Sequence, residues 1–191
     1  HDFSNSERLD NTRDNFIIGL RTGLRISDFL TKLKEFNINE EYIEIETTKT
    51  GENVVIPLHP QIKAIIEKRG GKLPHKISDP KFNKYIKEVC QEVGINEEVE
   101  GAKIENKKNE KDFFNTDIHI YNKNRKTSGQ FPKYELITSH TCRRSFASNL
   151  YGKIPNLSIM AITGHKTEAQ FLKYIKITPK EHAQKLKELW K

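Results

Sequence analysis

This sequence predicts a mainly α-helical domain carrying one small antiparallel β-sheet. Three observations predict it. Apolar residues recur at three- and four-residue spacing along most of the chain, as in Phe16, Ile17 and Leu20 or Phe82, Tyr85, Ile86 and Val89. Residues that start and stop helices bracket those stretches. Only one pair of short segments, near Tyr42 and Val54, has the β-branched and aromatic character of strands, with turn residues between them.

The first helix covers about Asn11 to Leu20, and Arg21-Thr22-Gly23 ends it, with Gly23 as the residue beyond the helix end. A second helix is expected from Ser27 or Asp28, both good N-caps, carrying Phe29, Leu30 and Leu33 and ending by Asn37. Arg25 therefore sits at a joint between helices. Glu41 to Thr48 reads as a strand, Lys49-Thr50-Gly51-Glu52-Asn53 as the turn, and Val54-Val55-Ile56 as the return strand stopped by Pro57. An amphipathic helix follows over His59 to Arg69, closed by Gly70-Gly71. The next runs from Ser78 to Val93, with Pro80 near its first position and Gly94 at its end.

From Asn96 to Lys133 the periodicity dissolves. The segment reads as an extended, partly mobile surface insertion, with Ile118 to Tyr121 as a candidate short strand. Tyr134 to Ile137 is expected as a strand leading into a helix that begins near Ser139. Short helices are expected over Leu157 to Ile162 and Glu168 to Ile177, with a tight turn at Gly164-His165. Thr178-Pro179-Lys180-Glu181 has the pattern of a capped start for a last helix, Glu181 to Trp190.

Composition narrows the function classes. The chain has 191 residues, 31% of them charged and 35% hydrophobic, and no apolar run approaches a membrane span. His1 to Asp14 is polar, without the apolar core of a signal peptide. The two cysteines, Cys90 and Cys142, are too few and too far apart for a disulfide scaffold or a cysteine zinc site. A cytoplasmic protein is the expectation. A formal net charge of +7 is permissive for nucleic acid.

Ser139-His140-Thr141-Cys142-Arg143-Arg144 concentrates a histidine and two arginines at a helix start. His140 and Arg143 are three apart and share a face. With backbone N–H groups nearby, they suit an anion. Arg25, Lys49, His165 and Tyr174 lie at other structural joints. Two arginines, a lysine and two histidines form a phosphate-binding set, since guanidinium groups fork onto phosphoryl oxygens and cations stabilise a pentacoordinate phosphorane. A lysine on a flexible hairpin tip can protonate a leaving oxygen. A tyrosine among cations can attack phosphorus; its unperturbed pKa of about 10 leaves roughly one phenol in a thousand ionised at neutral pH, so the site must activate it.

Taken in order, these pieces resemble the tyrosine recombinases, or phage-type integrases. Thr22-Gly23-Leu24-Arg25-Ile26-Ser27-Asp28 looks like the family's first box, and His140-Thr141-Cys142-Arg143 looks like its H-x-x-R. Gly164-His165 followed nine residues later by Tyr174 matches the third histidine and the nucleophile, and Lys49-Thr50-Gly51 matches the hairpin lysine. Tyr134 to His140 and Ile162 to His165 are similar in style to mobile-element integrases of Bacteroidetes-like bacteria. Arg144-Ser145 departs from the family's usual His-Thr, which makes Arg144 a candidate extra phosphate contact.

The resemblance implies a DNA breaking-rejoining catalytic domain spanning residues 1–191, with an insertion at about 96–133. The family's N-terminal core-binding domain is not seen, so a fragment of a longer protein is expected. It implies a site-specific recombinase with catalytic residues Arg25, Lys49, His140, Arg143, His165 and Tyr174, needing no metal, ATP or other cofactor. Its partner would be double-stranded DNA, bound as a homo-tetramer that exchanges C-terminal segments, with a monomer in isolation. Three alternatives stay open: a type IB topoisomerase, a DNA-binding module without catalysis, and an inactive relative. His1, His59, His75, His119 and His182 read as surface histidines, and His59 and His75 lack a metal-ligand spacing.

Overall fold

The computed structural model describes residues 3–106, 124–175 and 179–190. Helix α1 (Glu7–Thr22) is capped by the Ser6 side chain and ends at Gly23, whose φ of 64° lets its N–H turn back to Gly19. A Cβ at Gly23 would also lie 2.5 Å from the Phe146 ring, so glycine serves both the turn and a close helix approach.

The expected second helix is a different object. Residues Asp28–Lys32 make a single π-helical turn, and Glu35–Asn37 a 3-10 turn. Asp28 is not a cap. Its side chain is fully buried, and Oδ1 accepts the N–H of Thr48 at 2.8 Å. This long-range bond is out of reach of local sequence reasoning.

The hairpin is as expected: β1 (Tyr42–Glu46) pairs antiparallel with β2 (Asn53–Pro57), Ile43 opposite Ile56 and Ile45 opposite Val54. These four side chains face inward and are buried. Helices α2 (Pro60–Lys68) and α3 (Asp79–Glu92) follow, both with proline in the first turn. His59 is more than a surface residue, because its Nδ1 accepts the Gln61 N–H at the start of α2. The main core joins Ile18, Leu24 and Phe29 to the hairpin's inner face and to Ile62, Phe82 and Ile86. Phe29 meets Phe82 edge to face at 5.7 Å.

The 96–133 segment corrects the sequence reading. Strand β3 (Glu98–Asn106) pairs antiparallel with β4 (Asn124–Pro132) over nine registered positions. The base of the ribbon packs on its own pair and on the turn that follows it. Val99 stands opposite Phe131, Lys103 lies 4.6 Å over the Phe131 ring, and a Cβ at Gly101 would lie 2.3 Å from Leu136. A ribbon with so little buried face needs no apolar alternation. The candidate strand at Ile118 to Tyr121 lies outside the described residues. Lys133–Leu136 is a 3-10 turn, not the expected strand.

Helix α4 (Ser139–Leu150) packs against α1 and buries Cys142, Phe146 and Ala147. A second apolar cluster joins Phe146 and Ala147 to Ile159 and Met160 of α5 (Asn156–Thr163) and Phe171 of α6 (Glu168–Tyr174). Helix α6 stops at Tyr174, short of the expected Ile177. The last helix, α7 (Pro179–Leu189), leaves Leu186, Leu189 and Trp190 exposed.

Candidate active site

Five separate pieces of chain converge on one cleft of about 470 Å³: the joint after α1, the hairpin turn, the start of α4, the turn after α5 and the end of α6. Arg25, Lys49, His140, Arg143, His165 and Tyr174 all line it, so the six residues proposed from sequence share one site. Ser139, Thr50, Lys166 and Gln170 also line it and were not anticipated.

Arg143 sits deepest. It is 5% exposed, and its Nη1 donates to the Gly23 carbonyl at 2.9 Å. The glycine that ends α1 thus fixes the arginine of α4. Nη2 of Arg143 is buried and has no hydrogen-bond partner among the described residues. Burial, then Arg25, lowers its pKa to about 10, with Tyr174 and Asp28 pulling the other way, so the guanidinium is charged at neutral pH. Arg25 reaches the same cleft beside Gly164, where a Cβ would lie 3.7 Å from both of its terminal nitrogens. Gly164 has φ 57° and caps α5. Among the described residues Arg25 has no ion-pair partner, Asp28 included.

Lys49 is exposed on a turn that is tied down rather than loose. Thr47 and Glu52 close it through Thr47 N–H to the Glu52 carbonyl at 2.9 Å, and Asp28 holds the preceding Thr48. His140 is exposed, and its Nδ1 lies 3.1 Å from the Tyr174 hydroxyl. The expected backbone anion site at this helix start is largely consumed. Ser139 N–H donates to Asn83 and Thr141 N–H to the Thr138 carbonyl, so α4 contributes side chains.

The Tyr174 ring meets His165 edge-on at 4.9 Å, and the Arg144 guanidinium carbon lies 5.7 Å over its centre. Arg144, one turn after His140, thus also grips the tyrosine ring. Among the described residues Tyr174 is the one tyrosine lining the cleft; Tyr85 lies under Arg8 and Tyr151 packs on Phe171. Burial, then Arg143 and Arg25, lowers the pKa of His165 to about 4, so its imidazole is neutral at pH 7.

The arrangement can hold one anion between two guanidinium groups, with a phenol and two imidazoles beside it. Among the described residues no group of three or more His, Cys, Asp or Glu side chains could hold a metal ion, and no helix is long and apolar enough to cross a membrane.

Known structures share this fold. Lambda integrase, as a dimer bound to a COC′ core site, superposes with a TM-score of 0.55 at 18% identity, over 86% of this chain and 51% of that one. XerA recombinase gives 0.57 at 14% identity, over 98% and 64%. XerH site-specific recombinase, in a pre-cleavage complex with its difH substrate, gives 0.57 at 15%, over 97% and 48%. The chain thus spans less than two thirds of each. No curated protein sequence matches it significantly. The profile of the phage integrase family matches residues 3–181, nearly the whole length, and the chain belongs to that family.

Proposed function

We propose that this chain is the catalytic domain of a site-specific DNA recombinase that cuts and rejoins DNA through a 3′-phosphotyrosine link. One observation carries the reading: Arg143 is a buried, charged guanidinium whose Nη2 has no partner among the described residues, in a cleft that also holds Tyr174. A buried cation is costly until an anion meets it, and a phosphodiester offers the paired oxygens that a guanidinium fork matches.

Arg25, Arg143 and His165 surround the scissile phosphate. The Tyr174 oxygen attacks phosphorus and its proton passes to a neighbouring imidazole. The bond from phosphorus to the 5′ oxygen breaks, and Lys49 gives that oxygen its proton. One phosphoester forms as one breaks, so the link keeps the energy for religation without ATP. The arginines stabilise the charge that grows on the phosphoryl oxygens. His140, at hydrogen-bond distance from the Tyr174 hydroxyl, orients it.

The partner is double-stranded DNA, and the charge of +7 supports salt-sensitive backbone binding. Exposed Leu186, Leu189 and Trp190 on α7 support docking onto a neighbouring copy in a tetramer on DNA. Residues 1–191 act as one catalytic domain, in the cytoplasm, for a mobile element.

The test is covalent trapping on nicked duplexes carrying the element's ends. A protein–DNA band on a denaturing gel that disappears in Tyr174→Phe is the expected result. A band that persists in Tyr174→Phe places the nucleophile elsewhere, and tight binding without any band favours a non-catalytic DNA-binding module.

A further inference from the structure

His165 does not meet the cleft with both ring nitrogens. Its Nδ1 lies 2.8 Å from Oγ1 of Thr163, the last residue of α5. Thr163 is fully buried, and the same oxygen lies 2.7 Å from the carbonyl of Ile159 one turn earlier. A threonine hydroxyl has one proton, and a carbonyl can only accept. That proton therefore goes to Ile159, because otherwise two oxygens would face each other at hydrogen-bond distance with nothing between them. The lone pairs of Oγ1 are left for His165, so Nδ1 must carry a proton. Nε2, which has no hydrogen-bond partner among the described residues, then carries a lone pair.

We infer that Thr163 is a positioning residue that locks His165 in its Nδ1–H tautomer and so presents Nε2 to the cleft as a proton acceptor. The chain Ile159 carbonyl, Thr163 hydroxyl, His165 imidazole runs from the α5 backbone into the site, and its polarity is set at the carbonyl end. Gly164, in the left-handed conformation between the two side chains, brings residues 163 and 165 to the same side of the turn.

The consequence for the reaction rests on the recombinase reading; the tautomer does not. Neutral His165 enters as an acceptor, 4.9 Å ring to ring from Tyr174. It takes the phenol proton on Nε2 as the oxygen attacks. The resulting imidazolium keeps its Nδ1–H bond to Thr163 and turns its new Nε2–H toward the phosphoryl oxygens as their charge grows. The groups facing this ring are Arg25, Arg143 and Tyr174, with Phe171 packed edge-on at 5.7 Å. With two cations beside it and a low pKa, His165 is neutral in the empty cleft.

The test reads the tautomer directly. Two-bond proton–nitrogen correlation spectra of the full chain, labelled with 15N-histidine and recorded at pH 7, distinguish a protonated from an unprotonated ring nitrogen. The chain has seven histidines, and His165→Asn identifies the relevant signals. The wild type is expected to show Nδ1 protonated and Nε2 bare. Thr163→Val, which keeps the shape and removes the hydroxyl, should shift His165 toward the Nε2–H form and slow covalent-complex formation on the order of tenfold. Thr163→Ser should restore both. A wild-type His165 in the Nε2–H form, or a tautomer unchanged in Thr163→Val, would overturn the inference. If the wild type forms no covalent complex, the recombinase reading fails while the spectra still decide the role of Thr163.

Discussion

Three charged side chains are buried among the described residues, Asp14, Asp28 and Arg143, and the first and last of them have opposite company. Asp14, on α1, is fully buried, and three cations surround it: Arg13, Lys68 and Arg69, each within 2.7 Å of a carboxylate oxygen. Neighbouring Asp10 shares the same three partners. Arg143, on α4, is nearly as buried, but among the described residues it has one carbonyl partner and a guanidinium nitrogen without any. The first cluster closes on itself and ties α1 to the end of α2. The second stays open toward the cleft. A buried charge whose partners all come from its own chain holds the fold together, whereas a buried cation left short of partners at the wall of a cleft is open to an anion.

The largest expected effect separates the two. Arg143→Met removes a phosphate donor, and covalent-complex formation on a trapping substrate should fall about a thousandfold. Next comes an exposed charge as a third case. Lys49→Ala should lower the cleavage rate about a hundredfold without moving the melting temperature. Replacing the 5′ bridging oxygen with sulfur, which leaves without needing a proton, should restore that rate. Failure of sulfur to rescue would remove Lys49 from the proton-donor role.

Asp14→Asn acts on stability instead. Breaking a buried pair while its cations remain should cost about 3 kcal/mol, a fall in melting temperature of roughly 6–12 °C for a chain of this size. Calorimetry checks it.

The smallest effects are in pH, and the two charged regions respond in different windows. His165 is held at about 4, below its ordinary 6.5, chiefly by burial and then by Arg143 and Arg25. The unfolded imidazole takes up its proton first, so stability falls as pH drops below 6.5, and the loss is complete by about 4. Burial pushes the Asp14 carboxyl up, but hydrogen bonds from Lys68, Arg13 and Arg69 outweigh it and hold it below its ordinary 3.8. Its contribution is present above 3.8 and is lost as pH falls through the depressed value. Urea titrations at stepped pH should show both stages. A phosphodiester in the cleft favours the imidazolium and should shrink the first stage alone.

Sequence read the fold class and picked out residues that share one cleft, but it read less of the contacts around them. The histidine and arginine three apart on α4, the arginine two residues beyond a helix-ending glycine, and the lysine of a polar hairpin turn are local patterns. Local geometry places them where the patterns require. Contacts between distant segments were not legible. Asp28 looked like a cap because caps and buried acceptors use the same side chain, and only the fold brings Thr48 to it. The β3–β4 ribbon was missed because none of its described side chains is fully buried, Val99 and Phe131 included, leaving no apolar alternation to read. Thr163 carried no signal, since its role exists only once α5 ends in a left-handed glycine that brings His165 back beside it.

The most direct test crosses the two properties on the same samples. Arg143→Met and Asp14→Asn are compared with wild type in both melting temperature and the rate of covalent-complex formation, at a temperature where all three are folded. Arg143→Met should melt within about 3 °C of wild type, and Asp14→Asn should react within about twofold of it. An Arg143→Met protein that reacts normally but melts far lower would make Arg143 a structural charge like Asp14, and would contradict the claim that its missing partner is a phosphodiester.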